Sequence, residues 1–168
     1  RALRILRESK LIAAEDTRRA AFLLSHFDLH TPVTSYFEHN KLGKLDRILS
    51  ALDQGDVALI SEAGTPGLSD PGYELIRAAI DHGHPIVPLP GATAAITALV
   101  ASGLPTDSFV FIGFLPRKAG ERRRALAEVK NDRRTLIFYE APHRLKEALQ
   151  DIGSILGDRS ICVARELT

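Results

Sequence analysis

Apolar residues in this chain follow two periods in turn. Leu11–Ala14 and Val57–Ile60 are short, continuous apolar runs, each predicting a buried strand. Residues 32–37, 85–89, 109–114, 135–139 and 160–164 are also strand-like in length and composition. Between them, apolar residues recur three and four apart. Phe22, Leu23, Leu24 and Phe27 predict a helix over 17–27 capped by Asp16, and Leu45, Ile48, Leu49 and Leu52 predict one over 42–52. Pro71 suits the first turn of a helix that runs to Asp81 and stops at His82-Gly83. Helices are also expected over 92–101 (closed by Gly103), 120–129 and 142–156, and the opening residues RALRILRESK already have helical spacing.

Strands alternating with helices imply parallel pairing and an α/β layered architecture. The text changes at the loop LPTDS and the β-rich run after it. A boundary near 114–117 is therefore expected, with an α/β domain over 1–114 and the start of a second over 115–168. Both ends look cut: the chain has no methionine, its first helix lacks a capping residue, and it stops inside an apolar run. A fragment truncated at both ends is the expectation.

Composition narrows the picture by exclusion. A net charge of +1 gives no global field toward nucleic acid or membrane, so any such contact must be local. The single cysteine, Cys162, forbids an internal disulfide and suits a reducing compartment. No apolar run approaches the roughly 18 residues that span a bilayer, and no signal peptide opens the chain, so a soluble, cytoplasmic protein is expected. Six histidines are scattered without ligand spacing, and no metal is expected. Neither a P-loop nor a dinucleotide fingerprint occurs.

Two segments carry the candidate chemistry. SEAGTPGLSDPG, residues 61–72, follows the strand Val57–Ile60. Ligands of open parallel sheets gather at such strand ends. Gly64, Gly67, Pro66 and Pro71 fix an unusual backbone path, while Ser61, Glu62, Thr65, Ser69 and Asp70 could meet ribose hydroxyls or an amino-acid head group. The plainer reading is a loop that caps the next helix through Ser69 or Asp70. PLPGATAA, residues 88–95, also lies where a strand meets a helix. Gly91 admits close approach, and the amides of Ala92, Thr93 and Ala94 could hold an anion; a helix start packed with small residues is the alternative. Glu15-Asp16-Thr17-Arg18-Arg19 and Phe37-Glu38-His39-Asn40 end two other strands, with a helix cap and a turn as their plainer readings. Arg117, Lys118, Arg122, Arg123 and Arg124 form a basic patch that suits RNA phosphates, or else a solvated helix face.

Taken in order, LIAAEDTRR, SEAGTPGLSDPG, PLPGATAAITAL with ASGLP, FIGFLP, TLIFYEAPHRL and ARELT resemble the small-subunit ribosomal RNA methyltransferase I family of the tetrapyrrole-methylase superfamily. The resemblance spans nearly the whole chain. It implies two α/β domains with S-adenosylmethionine in the cleft between them, 2′-O-methylation of a cytidine ribose in 16S RNA, and a homodimer acting on the small subunit. It also implies that Gly64-Thr65-Pro66 stands in place of a Gly-Asp-Pro cofactor loop, threonine replacing the aspartate. Ala63, Leu68 and Ser69 would then lie along the cofactor, Pro90, Gly91, Ala92, Thr93 and Ala94 would flank it, and Phe138, Tyr139, Glu140 and Ala141 would line its adenine side. A Pro-Ile-Gly-Asn-Leu-type segment expected before Arg1 is not in the sequence, so the fragment alone is expected to bind the cofactor poorly.

A ribose hydroxyl is a weak nucleophile at neutral pH, so a base is expected, and Glu15, Asp16, Glu62 and His39 are the candidates. Arg18 and Arg19 suit RNA phosphates better than proton transfer. Two other functions fit the same fold: methylation of a porphyrin precursor, and RNA binding without catalysis.

Overall fold

The computed structural model describes residues 1–37 and 40–167, with the backbone alone at Lys41. It divides into two compact units, Arg1–Ala92 and Thr93–Thr168.

The first unit runs α1 (Ala2–Glu8), β1 (Leu11–Ala14), α2 (Thr17–His26), β2 (Val33–Ser35), α3 (Lys41–Leu52), β3 (Val57–Ile60) and α4 (Tyr73–Asp81). Its strands pair in the order β2-β1-β3, all parallel. The middle strand explains its own sequence. Ile12 and Ala14 point to one face, packed with Leu6 of α1 and Ala20 and Leu24 of α2. Leu11 and Ala13 point to the other, packed with Tyr36, Ile48 of α3 and Leu75 of α4. A strand covered on both faces needs apolar residues at every position, so LIAA shows no alternation. β3 (VALI) is equally apolar but only half-buried, an edge strand that among the described residues pairs with β1 alone.

The second unit runs α5 (Ala94–Ala101), β4 (Phe109–Phe114), α6 (Ala119–Glu128), β5 (Thr135–Tyr139), a 3-10 turn at Pro142–Arg144, and α7 (Leu145–Leu156). β4 and β5 are parallel, and their register slips between Phe111 and Gly113, where Gly113 has φ +77°. Glycine permits that bulge without strain. Leu115, Leu126 and Ala148 are the buried core, with Phe138 and Ile152 packed on it.

The division between the compact units falls at Ala92/Thr93, and β4 and its ladder partner β5 both lie in the second. Three expectations need correction. Residues 85–89 and 160–164 form no strand: a strand exists by pairing, and among the described residues neither segment has a partner. Val87 and Ile161 accordingly stay exposed. The helix over 17–27 buries only Ala20 and Leu24, while Phe22, counted by spacing among the inward residues, is 78% exposed. Among the described residues no helix is long and apolar enough to cross a membrane.

Candidate functional site

The carboxyl ends of the three parallel strands are level, since Ala14 pairs with both Ser35 and Ile60. The ladder continues one step further, the Glu15 amide donating to the Ile60 carbonyl at 3.2 Å. Glu15 and Asp16 are thereby brought beside Ser61 and Glu62. The Glu15 carboxylate accepts a hydrogen bond from the Glu62 amide at 3.2 Å, which ties the start of the 61–72 loop to β1. Glu62 in turn faces Arg19, Nε to Oε2 3.4 Å. These side chains rim a cleft of about 630 Å³, walled on the α2 side by Phe22 and Leu23 and floored by Ala14 and Ile60.

Asp16 caps α2 as the sequence suggests, accepting from the amides of Arg18 (2.8 Å) and Arg19 (3.4 Å). The Arg18 guanidinium also forks onto the same carboxylate, at 3.2 and 2.8 Å. These bonds, the Arg18 side chain first, hold the Asp16 carboxyl down at about 2, against an ordinary value of 3.8. Arg18 and Arg19, expected on RNA phosphates, are thus both paired with acids of the cleft. His39 lies outside the described residues.

The 61–72 loop folds back on itself. The Ser61 hydroxyl donates to the Ala63 carbonyl (3.1 Å), the Leu68 amide to the Thr65 carbonyl (3.1 Å), and the Gly67 amide to the Pro71 carbonyl (3.3 Å). A Cβ on Gly72 would stand 2.8 Å from the Gly67 nitrogen, so glycine is required there by the loop's own closure. Gly64 differs: its φ is +77°, yet a Cβ would meet nothing within 4 Å. Ser69 is held at φ +62°, an uncommon conformation for a residue with a side chain. Neither Ser69 nor Asp70 caps α4; its N-cap is Gly72, with no side-chain bond. Partial burial pushes the Asp70 carboxyl up, the Ser61 hydroxyl opposes this, and the charge of Glu62 adds to it. Ala63, Gly64, Thr65, Leu68 and Ser69 are exposed and Pro66 is half-buried.

Pro90, Gly91 and Ala92 are exposed at the end of the first unit. Gly91 has neither a positive φ nor a neighbour within 4 Å of a Cβ, so nothing described in this chain requires glycine there. In the second unit Thr93 and Ala94 open α5, and the Tyr139 hydroxyl accepts from the Ala95 amide at 3.2 Å. Phe138 packs on the core. The Glu140 carboxylate is turned inward onto the Ala141 amide (2.8 Å) and Arg144 (2.9 Å).

The basic patch divides. Arg117, Lys118, Arg123 and Arg124 are exposed. Arg122 is not: it is 2% exposed, its Nε lies 2.7 Å from Asp151, and it also donates to the Arg117 carbonyl. It joins α6 to α7 and has no face for RNA. The sequence held one signal for this, since Arg122 precedes the buried Leu126 by four residues on one helix face. Among the described residues no three His, Cys, Asp or Glu side chains group as a metal site.

The sequence profile of the tetrapyrrole (corrin/porphyrin) methylases matches residues 1–168. Similar curated proteins, each named ribosomal RNA small subunit methyltransferase I, include those of Halalkalibacterium halodurans (56% identical), Pseudomonas aeruginosa (53%) and Bacillus subtilis (48%). All three align over 100% of this chain, which covers 58%, 60% and 58% of their respective lengths. The chain therefore spans about three fifths of these relatives.

Proposed function

The chain belongs to the tetrapyrrole (corrin/porphyrin) methylase family, and from that premise we propose that the full-length protein methylates small-subunit ribosomal RNA, at the 2′-oxygen of a cytidine ribose, with S-adenosylmethionine as donor. The observation that carries this reading is 46–56% identity, over the whole chain, to relatives named for a ribosomal RNA methyltransferase.

The residues of the two glycine-containing loops fit such a cofactor. Gly64 and Gly91 each leave open space where a side chain would stand, so a ligand can lie against the main chain. The hydroxyls of Ser61, Thr65 and Ser69 suit ribose, and the carboxylates of Glu62 and Asp70 suit a cationic ligand. S-adenosylmethionine, when bound, supplies a methyl group already activated by its positive sulfur. The proposed contacts are Ala63, Gly64, Thr65, Pro66, Leu68 and Ser69, then residues 90–94, then 138–141. In the last group the Glu140 side chain is committed to Arg144 and the Tyr139 hydroxyl to the Ala95 amide, which leaves the main chain and the ring of Phe138 or Tyr139.

What remains for the protein is to align the ribose and remove its proton. A carboxylate held at about 2 is a poor proton acceptor at neutral pH, which argues against Asp16. One oxygen of Glu15 is occupied by the Glu62 amide. Glu62, on the rim of the cleft with 40% of its side chain exposed, is the best placed of the described candidates, and His39, outside the described residues, is kept as the alternative base. For the RNA we propose Arg117, Lys118, Arg123 and Arg124, and we read the full-length protein as a cytoplasmic homodimer.

The test is methyl transfer by the purified full-length protein, with small ribosomal subunits from a strain lacking the enzyme and a porphyrinogen offered in parallel. Label at a cytidine 2′-oxygen is the expected result. Label only in the porphyrinogen, or tight RNA binding with no transfer, would replace the proposal.

A further inference from the structure

Tyr139 ends β5, and two rings of β4 hold its ring edge-on. Their centroids lie 5.0 Å away for Phe111, at 75°, and 5.5 Å away for Phe114, at 62°. Edge-to-face pairs of this kind favour one ring orientation over others. The hydroxyl so placed accepts from the Ala95 amide, 44 residues earlier in the chain. Ala95 lies in the first turn of α5, whose amides cannot be satisfied within the helix. The helix's own N-cap does not help: Thr93 makes no side-chain cap bond, and its carbonyl instead accepts from the Thr97 hydroxyl at 2.8 Å. The cap is supplied from another element.

The corner that carries Tyr139 is itself braced. Glu140 accepts from the Ala141 amide and from Arg144, and the same Arg144 nitrogen donates to the Leu115 carbonyl at 2.6 Å. The end of β5, the turn before α7 and the segment after β4 are thereby joined. Tyr139 projects from a fixed base.

We propose that the Tyr139 hydroxyl is a positioning group for the cofactor. By capping the first turn of α5 it sets where Thr93 and Ala94 present their main chain. This rests on the reading that residues 90–94 flank S-adenosylmethionine.

The experiment compares Tyr139→Phe and Gly91→Val with the parent in the full-length protein, by steady-state kinetics and thermal unfolding. Phenylalanine keeps the ring contacts and removes only the hydrogen bond. Tyr139→Phe should raise the KM for S-adenosylmethionine about two- to tenfold, the scale of one hydrogen bond, with kcat within about twofold and Tm nearly unchanged. An unchanged KM in Tyr139→Phe, with a raised KM in Gly91→Val, overturns this inference and leaves the cofactor loop standing. No change in either variant overturns both. A parallel fall in kcat and Tm shows a merely structural bond and also overturns it.

Discussion

At Asp16 two demands fall on one carboxylate: it caps α2 through main-chain amides and holds the Arg18 guanidinium. Both favour the ionised form, which is why its carboxyl sits at about 2 and not at 3.8. The sign of the consequence follows. Between those two values the unfolded chain binds the proton more readily, so stability rises with pH across that window. The cap contributes fully above 3.8 and is lost as pH falls through about 2. A carbon-detected NMR titration should place Asp16 near 2; a midpoint near 3.8 would show that the fork does not persist in solution. The same Asp-x-Arg fork recurs at Asp132 and Arg134, before β5, where Asp132 is also held at about 2. Its recurrence marks the motif as a local device of the backbone, so EDTRR owes part of its pattern to folding. Glu62 carries the catalytic prediction instead. Glu62→Gln keeps the side chain's size and its amide bond to Glu15, so cofactor affinity should hold. Turnover should fall roughly a hundred- to ten-thousandfold if it is the base. Unchanged turnover moves that role to Glu15 or His39.

Among the elements, the helices and the paired strands were legible because their signals are local. Thr135–Tyr139 and Val57–Ile60 form where an apolar run meets turn residues, and the Asp16 cap follows from side-chain chemistry within three residues. What escaped depends on partners distant in sequence. Residues 85–89 and 160–164 read as strands by composition, but a ladder is a property of two segments. Arg122 reads like its neighbours Arg123 and Arg124 until α7 is placed beside it. Its burial against Asp151 makes a strong prediction. Arg122→Ala takes the 2.7 Å partner from an acid of low exposure, leaves it only the exposed Arg123 at 3.7 Å, and should cost about 3 kcal/mol. Arg124→Ala, on the exposed face, should stay within about 0.5 kcal/mol. Denaturant midpoints of the full-length variants decide it, and equal shifts would mean that α6 and α7 are not joined through this pair. The unusual backbone path of residues 61–72 was legible from its glycines, and the Tyr139–Ala95 bond was not, because nothing local links residues 44 apart.

For the molecule as a whole, a net charge of +1 means that RNA affinity must come from where charge is uncompensated and not from its sum. Several basic side chains are already answered: in the first unit Arg18 by Asp16 and Arg19 by Glu62, in the second Arg122 by Asp151 and Lys118 by Glu121 at 3.2 Å. Arg117 and Arg124 are exposed and have no acidic partner among the described residues, which makes them the strongest candidates for phosphate contact in the proposed patch. A phosphate contact releases a counterion, so each should contribute about 0.7 to the slope of log affinity against log salt for a single strand. Binding of the full-length protein to a small-subunit RNA fragment should therefore weaken in Arg117→Ala and in Arg124→Ala, each with its slope reduced by about 0.7. Arg18→Ala should leave the slope almost unchanged, because its charge is balanced within the cleft. If Arg18→Ala flattens the slope and Arg117→Ala does not, the RNA lies over the strand ends of the first unit and the patch on α6 is a solvated face.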